Sequence, residues 1–218
     1  MTSTDDPERT LAFSYARQGD RPALAALFAL DDALAALLRT TSEPAIAQIR
    51  LAWWREEIAR LGQGPVPAMP VLAGLAGHVL VRGVDPARLV EIVEGWEVLI
   101  EAETLDREAL ATFAAKRGGT LFTVGGDLLG VEVGRLAGEG WALGDLSRHL
   151  ASVDEVIIAR DMARERLSDT SRWPRASRAL GAVAAIAAMD LALPPHVVPP
   201  IGSPKRVARL AWMRLTGR

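Results

Sequence analysis

The chain has 218 residues, half of them apolar, enough to bury one sizeable core as a single domain. A formal net charge of −2 and a sequence pI near 6.0 give no overall basicity that points to nucleic acid. There are no cysteines, which excludes disulfides, thiolate metal sites and cysteine nucleophiles. His78, His149 and His196 are too far apart for a local zinc motif.

Alanine and leucine dominate and β-branched alternation is scarce, so the chain reads as all-α. The opening MTSTDDPERT is polar and acidic, unlike a signal or transit peptide. Asp6-Pro7 starts a first helix predicted through about Gln18, and Asp20 with Pro22 a second to about Thr40. Asp31 and Asp32 are the acids of that second, largely apolar helix. Ser42 ahead of Pro44 starts a third, to about Leu61. There Ala47, Leu51, Trp54, Ile58 and Leu61 form one apolar stripe, and Glu56 and Arg60 are spaced for an ion pair. Trp53 and Trp54 cannot share a face, so one joins the core and the other faces outward.

The loop GQGPVPAMP leads to a short apolar helix ending near Val81, in which His78 reads as a core or boundary residue. Asp85-Pro86 and Asp106 begin the next two helices, and Gly118-Gly119 predicts a kink or break before a helix over about Thr120–Leu129. Gly138 and Gly140 precede one long segment from Trp141 to about Leu167. An alanine-rich helix over Arg175–Leu193 and a basic last helix from Ser203-Pro204 complete the order. The longest uncharged apolar run, about Ala179 to Met189, is too short to span a bilayer, so a cytoplasmic protein is expected.

The run SEPAIAQIRLAWWREEI, Ser42–Ile58, resembles the squalene/phytoene synthase superfamily, closest to the branch of phytoene synthase-like complex I assembly factors and their short bacterial relatives. TFAAKRGGTLFTVGGDLLG, Thr112–Gly130, and RWPRASRALGAVAAIAAMDL, Arg172–Leu191, are similar to further segments of that superfamily. The resemblance implies a single all-α helical bundle over residues 1–218, of the isoprenoid-synthase type. It implies head-to-head condensation of prenyl diphosphates by catalytic members, with magnesium held by two aspartate-rich motifs.

Aligning on ALFAL puts the first motif's aspartates at Ala35, Ala36 and Arg39. Alanine supplies no ligand to magnesium and arginine repels it. For the second motif three registers stay open: Arg148 with His149, Asp154 with Glu155, or Arg160-Asp161 with Glu165. Asp31, Asp32, Asp154 and Asp161 are the candidates for a rearranged metal and diphosphate site; the competing reading pairs Asp32 with Arg39 and salt-bridges Asp161 and Glu165.

The leading expectation is a member that has lost diphosphate chemistry and needs no cofactor. It would act as a binding or assembly protein for a respiratory membrane complex, with an isoprenoid or lipid tail in its pocket. An active prenyltransferase with a rearranged magnesium site is the alternative. A third is a peripheral adaptor at the inner face of the membrane, docking on a membrane or partner through Lys205, Arg206, Arg209, Trp212 and Arg214.

Overall fold

The computed structural model describes residues 6–41, 43–169 and 171–218. Eleven α-helices are present among the described residues: α1 Pro7–Phe13, α2 Arg21–Thr40, α3 Pro44–Arg60, α4 Pro70–Gly74, α5 Pro86–Glu101, α6 Arg107–Ala114, α7 Thr120–Leu128, α8 Leu136–Leu146, α9 Val153–Arg166, α10 Arg178–Leu191 and α11 Pro204–Thr216. No strand occurs among them.

Local chemistry sets the starts. Asp6, Asp85 and Asp106 each accept from backbone N–H groups of the turn that follows, and Pro7, Pro44, Pro70, Pro86 and Pro204 occupy first helical positions. Ser42, expected to cap α3, lies outside the described residues. Asp20 makes no capping bond; it pairs with Arg82 at 2.7 Å instead.

α2 runs through the middle of the bundle. Leu24, Leu27, Phe28, Leu30, Leu34 and Leu37 are buried, as an almost wholly apolar helix requires. α3 packs on α5 with Ala47, Leu51, Trp54 and Ile58 inward, while Trp53 stays exposed; Arg60 and Glu56 meet at 3.3 Å.

Three expectations need correction. α1 stops at Phe13, where Ser14 turns back onto the Leu11 carbonyl, rather than near Gln18. The segment expected as one helix from Trp141 is two: α8 begins at Leu136, contains both Gly138 and Gly140, and ends at Leu146, and α9 starts afresh with Ser152 capping Glu155. His78 is exposed on a single π-helical turn, Leu75–Val79, that continues α4.

The predicted kink at Gly118-Gly119 takes the form of a second π-helical turn, Ala115–Gly119, joining α6 to α7 without a break. α5 and α8 close on this turn from different elements. A Cβ on Gly118 would lie 2.0 Å from the Gly138 carbonyl oxygen, and one on Gly95 would lie 2.7 Å from the Arg117 nitrogen. These backbones meet because no side chain separates them. Gly138 and Asp145 are seven residues apart, hence on one face of α8, so the glycine contact also carries Asp145 to Arg117.

Candidate functional site in the central cleft

Arg117 sits on the π-helical turn with only 2% of its side chain exposed. Its Nε and Nη2 each donate at 2.8 Å to the two carboxylate oxygens of Asp31 on α2. Nη2 also donates at 2.8 Å to Asp145 on α8. Trp96 Nε1 on α5 donates to Asp31 at 3.0 Å. The guanidinium carbon lies 4.2 Å from the centre of the Trp96 ring and 4.8 Å from that of Trp141. A planar cation held bidentately and stacked on indole rings is the geometry that arginine, not lysine, supplies.

Burial alone would lower the basicity of Arg117, but Asp31 and Asp145 outweigh it and hold the guanidinium charged. For Asp145 burial raises the carboxyl, and Arg117, His149 and Arg39 more than offset this, leaving it below the usual aspartate value. His149 follows one turn later, its Nδ1 3.0 Å from the Asp145 carbonyl.

Two hollows meet at this bridge. One, of about 200 Å³, is bordered by Arg9, Asp32, Arg39, Arg148 and Asp190. The other, of about 470 Å³, lies between α2, α3, α5 and α8 and is lined by Leu38, Leu99, Ile100, Leu105, Leu146 and Leu150, with Arg39 and His149 among its polar residues. Ala35, Arg39, Arg117 and Asp145 border both.

The four candidate acids do not converge. Asp31 is taken up by Arg117 and Trp96. Asp32 is held by Arg9, whose two terminal nitrogens reach its two oxygens at 2.9 and 2.5 Å, in place of the expected Arg39. Asp161 pairs with Arg164 at 2.8 Å, Glu165 with Arg107 at 3.1 Å, and Asp154 is exposed. Ala35 and Arg39 line both hollows, and Ala36 lines neither. Among the described residues no three His, Cys, Asp or Glu side chains are placed to hold a metal ion. The donors present therefore do not fit magnesium, which needs oxygen ligands left open to it.

Residues 3–153 match the family model described as squalene/phytoene synthase. The chain belongs to that family. A crystal structure of a dehydrosqualene synthase in complex with ligand has the same fold: the TM-score is 0.68 at 13% identity, over 97% of this chain and 92% of that one. No curated protein matches the chain.

Of the three residues of the bridge, Asp31 is a candidate from sequence, and Arg117 and Asp145 emerge only in the folded chain. Asp145 is the single acid in the apolar stretch WALGDL, and Lys116-Arg117 is a basic pair between two apolar segments; a charge in such a setting is the signal that could have found both. On α11, Lys205, Trp212 and Arg214 are exposed and Arg209 is half-buried. Arg206, expected on the same surface, points inward instead: it is 3% exposed and binds Glu8 at 2.6 Å and Asp190. No described helix is long and apolar enough to cross a membrane.

Proposed function

We propose that this chain keeps the squalene/phytoene synthase fold without its magnesium–diphosphate chemistry, and works as a binding or assembly protein. The carrying observation is the Asp31–Arg117–Asp145 bridge: a guanidinium, rather than a metal ion, links α2 to α8 across the cleft. Arg117 engages Asp31 and Asp145 and Arg9 takes Asp32, so the acids that border the cleft on α2 and α8 already have cationic partners and offer no open oxygen cradle to a divalent ion. The 470 Å³ hollow, lined by leucines and Ile100 with Arg39 and His149 among its polar residues, suits an apolar isoprenoid or lipid tail that carries a polar head. An assembly role on a respiratory membrane complex rests on the resemblance of Ser42–Ile58 alone.

A rearranged metal site draws no support from α9, where Asp161 is paired and Asp154 faces solvent. The test is pyrophosphate release from farnesyl and geranylgeranyl diphosphate with magnesium. None above a protein-free control is expected. Turnover that Asp31→Asn abolishes would overturn it.

A further inference from the structure

Charge is divided unevenly along this chain. Residues 1–170 carry 17 Lys and Arg against 26 Asp and Glu, whereas residues 171–218 carry eight Lys and Arg and one acid, Asp190. The basic stretch gathers on α11 and the segment beside it. Arg172 donates to the Thr216 carbonyl and Arg178 to those of Arg214 and Leu215, so both sit at the C-terminal end of α11.

α11 has two differently used faces. Arg206, Leu210 and Met213 are buried at 3, 0 and 2% exposure and turn toward the bundle, where α11 packs on α10. Asp190 is satisfied inside by Arg206, so the one acid of this stretch does not offset the outer cations. On the outside Ala208, Trp212 and Leu215, at i, i+4 and i+7, make an apolar ridge, with Trp212 58% and Leu215 74% exposed. At about 100° per residue, Lys205 and Arg209 fall on one side of that ridge and Arg214 on the other. Among the described residues no Asp or Glu side chain forms an ion pair with Lys205, Arg209, Arg214 or Arg218, although the chain as a whole is acidic; Arg209 donates to the Arg218 oxygen at 2.7 Å, and the Arg214 guanidinium lies 5.5 Å from the centre of the Tyr15 ring.

We propose that the outer face of α11 docks on an anionic phospholipid surface, with Trp212 and Leu215 entering the headgroup boundary and Lys205, Arg209 and Arg214 meeting lipid phosphates. An apolar ridge edged by cations, with an indole at its centre, is the arrangement an interfacial helix uses. Cations that no Asp or Glu side chain neutralises lie on both edges and match a phosphate plane. The inward face is already satisfied by packing, so binding needs no unfolding. This inference is independent of what occupies the cleft.

The test is flotation of the whole chain with vesicles of phosphatidylcholine alone, or of an equal mixture with phosphatidylglycerol. Flotation is expected with the mixed vesicles only, and it should weaken as salt is added. Lys205→Glu with Arg214→Glu should reduce binding about tenfold or more. Trp212→Ala with Leu215→Ala should also reduce it. All four side chains are exposed, so circular dichroism and melting should match the parent. No flotation, equal flotation with neutral vesicles, or flotation unmoved by the variants would overturn the proposal. Self-association that these substitutions abolish, without lipid binding, would assign the face to a second copy of the chain and overturn it too.

Discussion

Arg117 directs Nε and Nη2 onto the two carboxylate oxygens of Asp31, each at 2.8 Å, across a separation of 86 residues. Both side chains are 2% exposed, so each neutralises a charge that water cannot reach. Removing one partner strands the other, which costs about 3–5 kcal/mol for a buried pair, whereas replacing both by apolar groups costs far less. Arg117→Met and Asp31→Leu are each predicted to lower stability by that order in urea unfolding. The double variant should be more stable than the sum of the two losses implies. Additive losses would show that the pair is not a unit.

The approach of Gly118 to Gly138 yields a second prediction. A methyl group on either would overlap the other's carbonyl oxygen, at 2.0 or 2.1 Å, so α8 must move off the π-helical turn. Gly118→Ala and Gly138→Ala are each expected to cost about 1–3 kcal/mol or more, as overpacked sites do. Because one displacement relieves both clashes, the double variant should cost less than the two added. Melting curves of the three proteins decide this; unchanged melting of either single variant would refute the contact.

Acid stability gives a third. Burial raises the Asp145 carboxyl, but Arg117, His149 and Arg39 outweigh it, so its folded pKa lies below the unfolded value of about 3.9. A group depressed in this way contributes stability above its unfolded pKa and loses it as pH falls through the folded one. Asp145→Asn should therefore be less stable than the parent at neutral pH. The difference should narrow below about pH 4, where the parent loses this contribution. Urea midpoints measured over a pH series would show it; a gap that widens toward acid would contradict the assignment.

Much of the fold is legible in the sequence because its punctuation is local. Asp-Pro and Ser-Pro pairs sit where helices start, and apolar periodicity marks what they bury. The break between α8 and α9 carries the same kind of signal, Ser152 three residues ahead of Glu155, whereas the start of α8 is not legible in that way. Gly138 and Gly140 read as a helix boundary, yet they serve the approach of α8 to Gly118 and to Leu167, a tertiary requirement that leaves no local signature. The site divides similarly. Asp31 stands out as an acid in an apolar helix, but its partner is 86 residues away and depends on the π-helical turn. Arg206 could have been assigned inward, since it shares a helical face with Leu210 and Met213; its positive charge suggested a surface instead.

The proposed function requires that Arg117, rather than a metal ion, join α2 to α8 across the cleft. Calorimetric titration of farnesyl diphosphate, with magnesium and then with a chelator, tests this most directly. Binding of the apolar chain should be the same in both, and Asp31→Asn should not convert it to metal dependence. Affinity that appears only with magnesium, and disappears in Asp31→Asn, would contradict the claim.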